Sequence, residues 1–114
     1  MSISQNLTNN NKIFDKSNVV LYISTTLNNK HIKILKKVYE NPVRSDINWN
    51  DIEKMLKGLG AEISEGSGSR VRIYLNKRIA IFHRPHPEKE TNKGAVKSVR
   101  EFIENSGINV GDYL

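Results

Sequence analysis

The chain has 114 residues, 37% hydrophobic and 26% charged, with a formal net charge of +6 and no cysteine. That length holds one domain with a modest core, and the missing thiols exclude a disulfide framework or a thiolate metal site. The start lacks the basic-then-apolar signature of a secretory signal, and no apolar run approaches the roughly 18 residues of a membrane-crossing helix, so a soluble, cytoplasmic protein without metal or cofactor is expected.

Residues 1–30 are rich in Asn, Ser and Thr and read as a partly flexible arm. Within them Val19-Val20-Leu21-Tyr22-Ile23 has the β-branched and aromatic content of a strand. Three fates stand open for this island: docking on the domain edge, docking on a second copy of the chain to make a homo-oligomer, or no role at all. From Asn29 the pattern turns helical, with Ile34, Leu35, Val38 and Tyr39 on one stripe and Lys33, Lys36 and Lys37 on the other. Asn41-Pro42 ends that helix, because a residue before proline is pushed out of the α region. A second helix is expected with Asn50 as cap and Glu53 completing a capping box. Its apolar side is Ile52, Met55, Leu56 and Leu59, Trp49 is a core anchor or staple ahead of it, and Gly58 and Gly60 form its stop.

The period then changes. Ala61–Ser64 predicts a short strand, Gly66-Ser67-Gly68 a turn, and Arg70–Leu75 a strand alternating Val71, Ile73 and Leu75 with Arg70, Arg72 and Tyr74. Ile79–His83 returns, and Pro85 and Pro87 stop the ladder. The reversal decides the register. A two-residue loop at Asn76-Lys77 pairs Arg70 with His83; a three-residue loop pairs Arg70 with Arg84 and sends His83 to the face of Val71 and Ile73. The longer loop is favoured here because it sets Ile79 and Ile81 beside Ile73 and Leu75, which makes His83 a packed strand-end residue. A last helix from about Lys93 to Asn105 turns Val96, Val99, Phe102 and Ile103 inward and stops at Gly107, with Lys93, Lys97, Arg100 and Glu104 on the opposite stripe. The expected class is α+β, a three-stranded antiparallel sheet packed by helices in the order α-α-β-β-β-α, behind an N-terminal extension.

Charge is unevenly placed along this order. Residues 70–100 carry nine lysines and arginines against Glu88 and Glu90, whereas residues 31–69 carry six basic and six acidic residues. A local basic field attracts polyanions, since neutralised phosphates release condensed counterions; a merely solvated basic surface is the plainer reading. Arg70, Arg72 and Arg84 are suited to forked phosphate contacts, and Lys93, Lys97 and Arg100 to following a nucleic-acid backbone. Metal-free RNA cleavage needs a base for the 2′-hydroxyl proton, an acid for the leaving oxygen and cations for the crowded phosphate. His83 and His86 are the histidines of the basic segment and hence the catalytic candidates. Gly66-Ser67-Gly68-Ser69 leads into a strand and lacks the Lys-Ser/Thr ending of a phosphate-cradling loop.

From about His31 to Ile108 the chain resembles the HicA family of bacterial toxin–antitoxin toxins. The resemblance rests on Asp51-Ile52-Glu53 through Leu59-Gly60, Gly68-Ser69 opening the first long strand, Pro85-His86-Pro87, and Gly94-Ala95-Val96-Lys97-Ser98-Val99 ahead of Ser106-Gly107-Ile108. It implies a double-stranded-RNA-binding-domain-like fold, mRNA as substrate, ribonuclease activity, and a HicB-like antitoxin that covers the RNA-facing surface. The layout expected is an arm over 1–30, a HicA-like RNA-binding domain over 31–108 and a tail over 109–114. One position departs from the family: the residue after Gly-Ser is usually the histidine assigned to catalysis, and here it is Arg70. Arginine stays protonated, so it can stabilise a phosphorane but cannot take the 2′-hydroxyl proton. Either His86 or His83 supplies the proton chemistry, or the chain is a non-catalytic RNA-binding or protein-interaction module on the same scaffold.

Overall fold

The computed structural model describes residues 27–114, together with the backbone of two short strands, β1 (Ile13–Phe14) and β2 (Val20–Leu21), which pair antiparallel. The strand expected within Val19–Ile23 is therefore present at Val20–Leu21; the rest of the arm, and any docking of the island, lie outside the described residues. Helix α1 (Asn29–Val38) begins where the Asn28 side chain accepts from the His31 amide at 2.8 Å, and it ends at Tyr39, ahead of Asn41-Pro42. Of its expected apolar stripe, Ile34, Leu35 and Val38 are buried and Tyr39 is partly buried against the core.

Strand β3 (Ile47–Asn48) runs straight into α2 (Trp49–Gly58). The cap is Asn48, not Asn50: the Asn48 side chain accepts from the Asn50 amide at 2.9 Å. Glu53, expected to close a capping box, instead accepts from the Trp49 indole and holds Arg84. Trp49 starts the helix two residues earlier because its ring belongs in the core, where it is buried 5.5 Å from the Phe82 ring. At the other end of α2 the chain turns at Gly60, whose φ of +106° suits glycine. Gly58 acts through its size instead. A Cβ there would lie 2.8 Å from both His31 Nδ1 and Leu27 Cδ2, so the missing side chain lets the start of α1 close on the end of α2.

The sheet is β4 (Glu62–Glu65), β5 (Arg70–Leu75) and β6 (Arg78–His83), antiparallel and in that order. Its register corrects the sequence reading. The hairpin is a two-residue turn, with Asn76 and Lys77 both at positive φ (49° and 71°), so Leu75 meets Arg78 and Arg70 meets His83. Two consecutive left-handed residues match the right-handed twist of paired strands, and asparagine tolerates that conformation. Asn76 is also anchored, its Nδ2 donating to Ser106 O at 2.5 Å. The longer loop would bury Ile79 and Ile81, but Phe82 and Ala80 take the inner places opposite Val71 and Ile73, and the larger ring fills the space against Trp49 and Phe102. Ile79, Ile81 and His83 therefore face solvent, and His83 is not a packed residue.

A two-residue strand the periodicity did not suggest, β7 (Glu90–Thr91), pairs antiparallel with β3 and ties the segment after His86 to the start of α2. Helix α3 (Lys93–Asn105) is capped by Asn92, which accepts from the Ala95 amide, and it buries Val96, Val99, Phe102 and Ile103 as expected. A 3-10 turn at Val110–Asp112 follows, with Val110 and Tyr113 packed against the core. The architecture is α+β: one face of a three-stranded antiparallel sheet is covered by helices, and the core lies between them.

Candidate functional site

The uncovered face of the sheet is built by strand alternation alone. Because Val71, Ile73 and Leu75 point inward, Arg70, Arg72 and Tyr74 point outward, and the register adds their partners across the strands. One row is Glu62, Tyr74 and Ile79; the next is Ser64, Arg72 and Ile81; the last is Arg70 beside His83. Gly66 reaches this last row by donating its amide to Arg70 O at 2.9 Å. A side chain at Gly66 would set its Cβ 3.1 Å from the Arg70 Cβ, so glycine keeps the guanidinium's surroundings open.

The Arg70–His83 pair has a definite geometry. The Arg84 amide donates to Ser69 O at 2.9 Å, which makes Ser69 and Arg84 a hydrogen-bonded pair. In an antiparallel ladder the next pair along, Arg70 and His83, is then of the non-hydrogen-bonded kind, whose Cα atoms approach to about 4.5 Å and whose side chains stand closest. An exposed imidazole thus stands beside an exposed guanidinium, with Arg72 two residues further along the strand. The guanidiniums of Arg70 and Arg72 have no acceptor among the described residues.

The remaining cations expected at the site divide sharply. Arg84 is held by two carboxylates, donating to Glu53 at 2.7 and 3.2 Å and to Glu65 at 2.6 and 3.0 Å. Glu53 and then Glu65 hold its guanidinium more firmly protonated than usual, and Arg84 in turn holds the Glu65 carboxyl below its ordinary range. Arg84 clamps α2 to β4, its guanidinium shared between the two carboxylates. Arg100, expected on the solvent stripe of α3, instead folds onto the end of α1, donating to Val38 O at 2.8 and 3.0 Å, Glu40 O at 2.9 Å and Asn41 Oδ1 at 3.3 Å. Carbonyls at a helix C-terminus lack intrahelical partners and carry partial negative charge, which explains the attraction. Lys93 and Lys97 remain exposed on α3, and His86 is exposed between β6 and β7, with no hydrogen bond to its imidazole among the described residues.

Tyr74, Ile79 and Ile81 escaped the sequence reading. They are 41%, 50% and 54% exposed, an apolar strip on the same face as the two open arginines. The strict alternation of β5 already places Tyr74 there; only the turn type could have placed the two isoleucines. Among the described residues no cluster of three His, Asp or Glu side chains is arranged to hold a metal, and no helix is long and apolar enough to cross a membrane.

A helix-backed, three-stranded antiparallel sheet with an open basic face defines a small α+β domain of the double-stranded-RNA-binding-domain-like class. Residues 49–108, from the first residue of α2 to just past α3, match the family described as HicA toxin of bacterial toxin-antitoxin. The chain belongs to the HicA toxin family, and it is a toxin component of a toxin–antitoxin pair, with an antitoxin as its partner. No curated protein and no solved structure matches it.

Proposed function

We propose that the protein binds mRNA on the outer face of its sheet and cleaves it with His83 as the proton-transfer group and Arg70 as the phosphate-stabilising cation. The observation that carries this reading is the cross-strand pairing of Arg70 with His83. The family's histidine position is Arg70 here, and the residue directly opposite it on the neighbouring strand is a histidine. A proton acceptor and a phosphate-binding cation thus stand together with their roles moved one strand across. In the reaction, the His83 imidazole takes the 2′-hydroxyl proton, the 2′-oxygen attacks the adjacent phosphorus, and the bond to the 5′-oxygen breaks as that oxygen takes a proton from solvent. The products are a 2′,3′-cyclic phosphate and a 5′-hydroxyl end. Arg70 and Arg72 meet the charge that grows on the phosphate oxygens, while Lys93 and Lys97 hold the strand further along. Arg84 and Arg100, engaged internally, do not belong to the RNA surface.

The test compares His83→Ala, His86→Ala and wild type on purified RNA and in a growth-arrest assay. Loss of a general base costs about 10²–10⁴-fold in rate, so His83→Ala is expected to lose cleavage by at least that lower factor while still binding RNA, with His86→Ala close to wild type. Equal cutting by His83→Ala removes His83 from the chemistry. Arg70 also favours a second reading, a non-catalytic RNA-binding module; RNA left full length by wild-type protein at micromolar concentration, yet retained on it, is its signature.

A further inference from the structure

Strand β6 is an outer strand of its sheet, and among the described residues nothing pairs with its far edge. The Arg84 amide points to β5, so by two-residue alternation the amides of Phe82, Ala80 and Arg78 do as well. The N–H and C=O groups of Ile79, Ile81 and His83 are therefore turned outward. On that side a groove of about 490 Å³ separates β6 from α3, with Phe82 and Phe102 at its base and Ala95, Ser98 and Glu101 on its helix wall. Proteins usually blunt such an edge with charge, proline, a bulge or a covering element. This edge has half-exposed isoleucines at its centre, and its first proline, Pro85, comes only after the strand ends.

We infer that the β6 edge takes up an extended, acidic segment of a partner protein as a fourth strand, lying along the β6–α3 groove. A peptide backbone supplies alternating donors and acceptors that match the outward groups of Ile79, Ile81 and His83, whereas a sugar–phosphate backbone offers the outward carbonyls no N–H. Charge selects the partner's chemistry. Residues 70–84 hold Arg70, Arg72, Lys77, Arg78 and Arg84 and no acidic residue, so a second copy of the chain would bring like charge to the seam. An added strand lies about 4.8 Å beyond β6 and about 10 Å from β5. At that separation the long side chain of Arg72 reaches over Ile81 to meet a glutamate in the same row. Inward-facing residues of the segment enter the groove beside Ala95 and Ser98 and meet Glu101, which favours small apolar side chains there and disfavours acidic ones. The segment is thus acidic outward and apolar inward, and the antitoxin that family membership implies is the chain to supply it. Its outward side chain in the last row would sit against the His83 imidazole. This occlusion rests on the reading of His83 as the reacting group; the strand pairing does not.

The probe is a peptide of about ten residues alternating Glu and Val, added to the full chain and followed by amide hydrogen exchange resolved by residue. Exchange at Ile79, Ile81 and His83 is expected to slow about tenfold or more at saturation, with Ala80 and Phe82, already bonded to β5, unchanged. A Lys/Val peptide, or a Glu/Val peptide interrupted by two prolines, is expected to give no protection, and Ile81→Asp to weaken binding about tenfold without altering the circular dichroism. Absent protection, protection without the odd–even alternation, or a dimer mass in native spectra of the chain alone overturns the assignment. Edge protection in a protein that neither binds nor cuts RNA upholds the strand pairing and removes the RNA reading. Cutting that continues at full rate on a protected edge overturns the occlusion.

Discussion

The solvent face of the sheet and the seam between α1 and α3 each present arginines, yet the two regions use them in opposite ways. In the seam, Arg100 meets three acceptors at the end of α1, and its guanidinium carbon lies 5.5 Å from the centre of the Tyr39 ring. On the sheet face, Arg70 and Arg72 stand over Gly66 and Ser64, neighbours that give a guanidinium no carboxylate. The difference shows that a cation's role is set by the acceptors the fold brings to it, not by the charge density of its segment. Residues 70–100 form one basic block in the sequence, and the fold divides that block into clamps and open donors.

The largest effect expected from breaking this contrast is at Arg100. Arg100→Ala strips the last carbonyls of α1 of a charged, forked donor, and hydrogen bonds to charged groups contribute about 1.5–3 kcal/mol. A loss of about 2 kcal/mol in urea unfolding is expected, with Arg100→Lys recovering little of it, because a point charge does not reproduce the fork that spans Val38 O and Glu40 O. A variant as stable as wild type would mean that the seam does not depend on these contacts.

A smaller effect sharpens the picture of the seam. The Tyr39 hydroxyl is buried without a partner among the described residues, and burial, with Glu104 adding to it and Arg100 opposing, pushes its pKa up to about 12. The folded state therefore keeps its proton above pH 10, where the unfolded chain begins to release it. The associated stability is complete below about pH 10 and is lost as pH rises toward 12. Tyr39→Phe keeps the ring under Arg100 and removes the orphaned hydroxyl, so a gain of up to about 1 kcal/mol is expected at pH 7. The variant's stability should also fall less steeply between pH 10 and 12 than wild type's, measured by urea unfolding at each pH.

Much of the fold was legible because it follows from local pattern. The apolar stripes of α1, α2 and α3 and the alternation of β5 each name their own buried residues, and those residues are buried apart from Tyr39, which is partly buried against the core. Legibility failed where a choice depended on contacts across the chain. The turn at Asn76-Lys77 was decided by Asn76 reaching Ser106 and by Phe82 filling the space against Trp49 and Phe102, partners 20 or more residues away. Glu53 reads as a capping residue until Trp49 and Arg84 are seen to meet it. At the site, Arg70, Arg72, Lys93 and Lys97 were recognisable as exposed cations, whereas the internal engagement of Arg84 and Arg100 required knowing which carboxylates and carbonyls fold against them. The closeness of His83 to Arg70 was one of two registers the sequence permitted.

The smallest effect on stability, and the sharpest test of the contrast, is at Arg72. Its outward side chain has Ser64 and Ile81 for neighbours across the strands, so Arg72→Ala removes no charged partner and is expected to change unfolding by less than about 0.5 kcal/mol. Its consequence should appear only when phosphate is present. A cation that neutralises one phosphate contributes about 0.7 to the slope of log affinity against log salt for a single strand, so the variant's RNA binding should weaken and its slope flatten by about that amount. Arg100→Ala, compared under conditions where it remains folded, should leave the slope where it is, since its guanidinium already faces backbone carbonyls. If both variants flattened the slope equally, the separation of clamps from open donors would fail; a change in Arg72→Ala alone would assign the phosphate to the face of the sheet that carries His83.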